Sequence, residues 1–204
     1  FGEPLAGVRD EGRSGRWAST AIGRVSTDGV SAPIVASVFD GAYIALNDAV
    51  PVTIDGVALR SVRLGDTLIL ATTASTGAPT VAVNGPDDER LLASVLDAVE
   101  VVDTGGELSL RLRTRPDGYT EVVAPRALGP IPTTRETLSN EAGDTVVDQM
   151  SDLGDPLLAA AGAGADLTAV DIGGATGWLG RTEHRSQVTL TFVAWSPRPG
   201  VVYE

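Results

Sequence analysis

Short apolar runs, each closed by a turn dipeptide, set the rhythm of this chain. Residues 16–24 alternate weakly around Trp17 and predict a first strand, with Asp28-Gly29 as the turn after it. Residues 34–39 are short and β-branched, which predicts a strand closed by Asp40-Gly41. Residues 52–54 lead into Asp55-Gly56, and 57–64 lead into Gly65-Asp66. Residues 67–73 then return as a strand, and 80–83 add one more. The expected product is a meander of short antiparallel pieces.

Helical spacing then takes over. Leu91, Leu92, Val95, Leu96 and Val99 form an apolar stripe suited to packing on a sheet. Asn84 or Asp87 is the expected cap, because a side-chain oxygen there accepts from the free amides of the first turn. Asp87, Asp88 and Glu89 favour the positive end of the helix dipole. Val101 and Val102 predict an extended piece before a break at Thr104-Gly105-Gly106. Leu108, Leu110 and Leu112 alternate with arginine, Pro116-Asp117-Gly118 is a turn, and 119–124 read as a strand. Residues 125–132, with three prolines, read as a loop or edge crossing, and 145–147 as a short strand.

Asp155-Pro156 opens a short helix over 157–161, since proline suits a first helical turn, and Gly162-Ala163-Gly164 ends it. The last block runs from a strand at 170–172 through Gly173-Gly174 and extended Trp178-Leu179. A polar turn at 182–187 precedes strands at 188–195 and 201–203. Val170-Asp171-Ile172-Gly173-Gly174 matches Val52-Thr53-Ile54-Asp55-Gly56, 188–195 matches 67–73, and Pro199 to Tyr203 matches Pro79 to Val83. Three landmarks in one order, at a separation of about 120 residues, suggest a duplicated half-domain rather than a solenoid. The expected fold is therefore α+β, a mainly antiparallel sheet with few helices in two pseudo-repeated halves. Residues 1–15 lack apolar period and read as a tail or linker, 16–103 as the first half and 104–204 as the second, separately or as one domain.

Composition narrows the chemistry. Aromatics make up only 4% of the chain, so Val, Leu, Ile and Ala must build the core. All 15 basic residues are arginine, against 27 acids, and the net charge of −12 argues against a nucleic-acid partner. The absence of cysteine excludes a thiol nucleophile, a thiolate metal site and a disulfide framework. No run approaches the roughly 20 apolar residues of a membrane helix, and the longest candidate, 157–165, is interrupted by glycine. Because the chain begins at Phe1, an upstream segment is expected to have been removed, as in an ectodomain freed from its anchor.

Five groups of residues invite chemistry. Gly173-Gly174-Ala175-Thr176-Gly177-Trp178-Leu179-Gly180 resembles the nucleotide-binding turn of extended short-chain dehydrogenases. That turn works between a strand and a helix, and the polar residues 181–186 followed by β-rich 188–195 leave no place for the helix. His184, the only histidine, sits in a polar turn and reads as an exposed loop residue. Asp144, Asp148, Asp152 and Asp155 lack the ligand order and central glycine of a calcium loop and read as a solvated run. Arg111, Arg113 and Arg115 read as one solvated strand face, with an anion site as the alternative. Trp178 and Trp195 read as core volume, with a binding face as the alternative. No catalytic, cofactor or metal residue is assigned.

One resemblance adds to this. Arg115-Pro116-Asp117-Gly118-Tyr119, Val170 to Gly174, residues 190–195 and Pro199-Gly200-Val201-Val202-Tyr203 resemble a pattern in secreted or membrane-anchored actinobacterial proteins. Those are similar in turn to C-terminal domains attached to anti-sigma-factor-like or RseB-like envelope proteins. The resemblance covers most of the second half and less of the first. It implies an extracytoplasmic sensing, ligand-binding or interaction module, with no catalytic residues or cofactor to carry over. The expected function is a non-enzymatic, envelope-located or secreted binding domain whose partner is a protein or small ligand, with membrane contact only through a segment outside this chain. The alternatives are an envelope carrier of a lipid or other hydrophobic ligand, and a hydrolase using paired carboxylates.

Overall fold

The computed structural model describes residues 9–10, 16–40, 46–73, 78–128, 133–136, 147–151, 155–162, 165–183, 189–198 and 201–203. The chain is mainly antiparallel sheet, with sixteen strands and two helices among the described residues. The first part comprises β1 (Arg9–Asp10), β2 (Trp17–Val25), β3 (Gly29–Phe39), β4 (Val50–Ile54), β5 (Val57–Leu64), β6 (Thr67–Thr72) and β7 (Thr80–Pro86). Helix α1 (Glu89–Ala98) runs straight into β8 (Val99–Asp103), followed by β9 (Leu108–Leu112), β10 (Thr120–Leu128), β11 (Thr133–Glu136) and β12 (Val147–Ser151). Helix α2 (Pro156–Ala161) precedes β13 (Leu167–Ile172), β14 (Ala175–Glu183), β15 (Thr189–Arg198) and β16 (Val201–Tyr203). Neither helix is long and apolar enough to cross a membrane.

Fourteen strands share one sheet, and β8–β9 form a separate hairpin. Within the run β10-β2-β3-β7-β6-β5-β4, the strands β2, β3 and β6 are covered on both faces. That is why 17–23, 33–39 and 67–71 are buried without interruption, where a sheet wetted on one side would alternate. One face carries Ile34, Ala36, Val38, Leu68, Leu70 and Val83 beneath Leu92, Val95 and Leu96 of α1 and Leu108 and Leu110 of β9. The opposite face carries Val35, Phe39, Ile69, Ala71 and Ala82. There α2 brings Leu157, Leu158, Ala160 and Ala161, and packs on its outer side against β14 and β15. Trp17 stacks on Phe39 with ring centroids 4.7 Å apart. Its Nε1 donates to Ser19 Oγ at 2.6 Å, which lies 2.8 Å from Ser37 Oγ, so the buried polar groups partner one another.

Strand β3 pairs with two strands along one edge. Its first residues pair with β13 (Val30 with Leu167, Gly29 with Thr168), and residues 35–39 pair with β7 along the same edge. Between these stretches β3 carries one residue more than β2 opposite it, at Ala32-Pro33. Ala32 sits at φ +46°, and its N–H donates to Asp166 at 2.8 Å. A bulge with a proline and a left-handed residue bends the strand, and the sheet divides there.

Several expectations change against this arrangement. The cap of α1 is Asp88, which accepts from Leu91 N–H at 3.0 Å. Asn84 is still in the β6–β7 ladder opposite Ile69, and Asp87 accepts instead from Arg63. Val99 caps the end of α1, its N–H donating to Leu96 O, and at the same time begins β8. The expected loop at 125–132 is partly strand, because β10 continues through Pro125 to Leu128. Pro125 fits there because the ladder to β2 skips a residue between Val123 and Arg126, and Thr20 Oγ1 donates to Val123 O at 2.7 Å. Within the expected tail, Arg9 and Asp10 pair with β11. Residues 137–143, 184–188 and 199–200 lie outside the described residues.

The two matched landmark blocks fall on two meanders, β4-β5-β6-β7 and β13-β14-β15-β16. They join β3 by opposite ends, the first through its last strand and the second through its first. Equivalence of the halves does not follow from this arrangement. The boundary drawn at 103/104 falls at the turn of the β8–β9 hairpin, and strands from both sides of it share the sheet.

Candidate functional site

Helix α1 covers β7, β6 and β3 but leaves the outer hairpin β4–β5 partly bare. Val52, Ile54, Val57 and Leu59 all face the α1 side, because residues opposite one another in the β4–β5 ladder share a face. Leu59 is buried, Val52 and Ile54 are half-buried, and Val50 and Val57 are each 57% exposed. The hairpin is closed by Asp55 at φ +50° and Gly56 at φ +83°, the two left-handed residues of a type I′ turn.

Between this hairpin and α1 lies a groove of about 460 Å³. Its floor is a row across the sheet, Leu59, Thr72 and Val81, and the hairpin tip with Ile54, Asp55 and Val57 forms one wall. Arg90, Ala93, Ser94 and Asp97, on one flank of α1 at helical spacing, form the other wall. The lining is predominantly apolar with a few polar groups, and its volume falls within the roughly 300–1,000 Å³ usual for small-ligand sites. Ser94 Oγ donates to Leu91 O at 2.7 Å, and Thr72 Oγ1 accepts from Val81 N–H at 3.1 Å. Arg63 fixes the start of the helix by donating to Asp87 and Glu89 at 3.0 and 2.8 Å.

The arginines differ in their engagement. Arg16, Arg63, Arg111, Arg113 and Arg115 all stand within 4 Å of a carboxylate. Arg90 has no carboxylate partner among the described residues. Asp97 is 91% exposed at its side chain and meets Arg113 only at 3.7 Å.

The groups singled out in the sequence do not converge. Arg111 lies 2.9 Å from Glu100 across the β8–β9 hairpin, and hydrogen bonding to Arg111 holds the Glu100 carboxyl below its ordinary range. Arg115 lies 2.9 Å from Glu121. The expected single strand face is not formed, because β9 ends at Leu112 and leaves Arg113 and Arg115 beyond it, and the triplet is divided among separate ion pairs. In β14–β15, Trp178 stands opposite Ala194 and Trp195 opposite Gly177, so the two rings leave opposite faces. They form no joint binding face, and Trp178 packs against the α2-side core. Gly173 and Gly174, at φ +62° and +87°, turn β13 into β14, and Gly177 to Gly180 lie inside β14. This is a hairpin turn, without the helix a nucleotide turn needs. His184, Asp144 and Asp152 lie outside the described residues, Asp148 is in β12, and Asp155 caps α2 by accepting from Leu157 N–H at 2.9 Å. Among the described residues, no three acidic or histidine side chains gather to hold a metal ion.

A second buried feature was missed by sequence reasoning. Tyr119, in the turn before β10, is 6% exposed, and its hydroxyl has no hydrogen-bond partner among the described residues. The Arg24 guanidinium lies 5.1 Å from its ring centroid, and burial pushes the phenol above its ordinary range. The groove was missed for a different reason. The flank stripe 90, 93, 94 and 97 is legible in the sequence, but not which flank the sheet would leave uncovered. Comparisons with protein-family models, with curated proteins and with solved structures found no match.

Proposed function

We propose that this chain is a non-enzymatic binding domain that takes its ligand in the groove between α1 and the β4–β5 hairpin. The observation that carries this is the groove itself: about 460 Å³, mostly apolar, with a few polar groups at its rim. An extracytoplasmic setting, in the envelope or secreted, and tethering through a segment outside this chain belong to the same reading. They rest on the likeness of Arg115 to Tyr119, Val170 to Gly174 and the 190–203 block to RseB-like envelope domains. Descent of the two meanders from one duplicated unit also belongs here, supported by their shared hairpin chemistry at Asp55-Gly56 and Gly173-Gly174.

The carrier alternative asks for a large enclosed cavity. Leu92, Val95 and Leu96 fill the interface between α1 and the sheet, which favours a marginal groove over an internal chamber. The hydrolase alternative asks for two carboxylates whose pKa values are pushed apart. Asp40, Glu100 and Asp103 are instead all held low by arginine, as structural ion pairs are.

An uncharged solvatochromic dye such as Nile red tests the groove. Its emission should shift to the blue with the folded protein, and Ala93→Trp and Ser94→Trp should abolish the shift while far-UV circular dichroism stays unchanged. Undiminished dye binding in both folded variants would discard the groove as the site.

A further inference from the structure

The groove has a polarity that points to a ligand class, and this inference rests on the groove being the binding site. Arg90 and Asp97 stand two turns apart on the same flank of α1, about 10 Å along the axis at about 1.5 Å per residue. One end of the helical wall is therefore cationic and the other anionic, with Ala93 and Ser94 between them. The cation is the informative half. In a chain of net charge −12, Arg24, Arg60, Arg90, Arg126 and Arg181 have no carboxylate partner among the described residues, and of these Arg90 is the one that lines the apolar groove.

Strand addition is disfavoured as the mode of recognition. Ile54 and Val57 flank the two-residue turn and so form a hydrogen-bonded pair, which makes Pro51 and Thr53 the residues whose main chain faces the open edge of β4. Pro51 has no N–H to offer there and blunts the edge against an added strand. A ligand in this groove is recognised by its ends and its apolar body rather than by a main-chain ladder.

We propose that the groove binds a short zwitterionic peptide with small apolar side chains, its carboxylate on Arg90 and its ammonium at Asp97. An extended tripeptide spans about 10 Å, at 3.3–3.6 Å per residue, roughly the separation of the two charges. Its apolar side chains lie over Leu59 and Val81, and Ser94 Oγ, already donating to Leu91 O, keeps acceptor capacity for a peptide N–H. Asp55 adds a second carboxylate on the opposite wall, and Arg113 stands 3.7 Å from Asp97, so the ligand's ammonium must compete with that long, exposed pair.

Calorimetric titration of the intact chain with Ala-Val-Ala, its N-acetylated form and its C-amidated form tests this, with Arg90→Gln and Asp97→Asn as variants. The free tripeptide should bind. C-amidation and R90Q should each weaken it about tenfold or more, as should N-acetylation and D97N, and each matched pair should be non-additive. Equal binding of all three peptides would overturn recognition by the termini. Sensitivity to R90Q and C-amidation alone would overturn the zwitterion in favour of a singly anionic amphiphile. No peptide binding, with Nile red still blocked by S94W, would overturn the peptide and leave the groove standing; loss of both would overturn both.

Discussion

Tyr119 shows how a single atom can set a local energy. Its ring fills the α1-side core, yet its hydroxyl is buried without a partner among the described residues. An unsatisfied buried hydroxyl costs about 1–3 kcal/mol, and removing it returns some of that cost. Tyr119→Phe keeps the ring and its contact with Arg24, so we expect the variant to equal the parent or exceed it in stability by up to about 1 kcal/mol in urea unfolding. A loss of that size would mean that an ordered water satisfies the hydroxyl. The pH dependence gives a second handle. The folded phenol titrates above its ordinary 10.0 because burial disfavours the anion. The stability this shift contributes is full below pH 10.0 and lost as pH rises through the raised folded value. That alkaline limb should vanish in the phenylalanine variant.

Among elements, the β8–β9 hairpin is the most separately held, since it pairs with no strand of the large sheet. Apart from Leu108 and Leu110 in the core, it is tied down by Arg16, which donates to Asp103 at 2.6 Å and to Asp40 at 2.7 Å. Both carboxyls lie below their ordinary 3.8, chiefly through hydrogen bonds from Arg16. A carboxyl depressed in the folded state stabilises above its unfolded pKa and loses that contribution as pH falls through its folded value. The Arg16 clamp on the hairpin should therefore loosen below pH 3.8. Amide exchange in β8 and β9 followed by NMR should rise there before exchange in β6 does, and Asp103→Asn should bring the same rise at neutral pH. Uniform exchange across both elements would show that the clamp does not govern the hairpin. Such elements were legible where local chemistry decides them: Asp55-Gly56, Gly65-Asp66, Gly173-Gly174 and Asp155-Pro156 all lie where the sequence puts them. Local signals misled where a long-range partner overrode them. Pro125 ends a strand by itself but is tolerated at a bulge beside β2, and Asp87 is drawn from capping to Arg63.

At the scale of the whole molecule, the two bodies of strands meet on β3, and nothing local in the sequence announces that joint. Residues 34–39 read as a strand because they are β-branched; residues 29–33 do not, because they carry the bulge that divides the sheet. The joint itself is small. Two residue pairs link β3 to β13, Ala169 N–H donates to Asp28 O at 3.2 Å, Asn84 Nδ2 donates to Gly162 O at 2.7 Å, and α2 packs on both sides. Gly29 is its closest point, since a Cβ there would lie 1.9 Å from Leu167 O, against backbone that cannot swing aside. At φ +159° its backbone is also one that other residues rarely adopt, so space and conformation both demand glycine. Gly29→Ala must push β13 away from β3 and should destabilise by about 1–3 kcal/mol, the usual range for overpacking. The loss should be unevenly distributed. Amides of β13 and β14 should exchange faster while those of β6 and β7 keep their protection, because the first meander is held by β7 and α1 independently of the joint. Equal loss of protection in both meanders would instead make β3 a single cooperative spine, with both melting together through it.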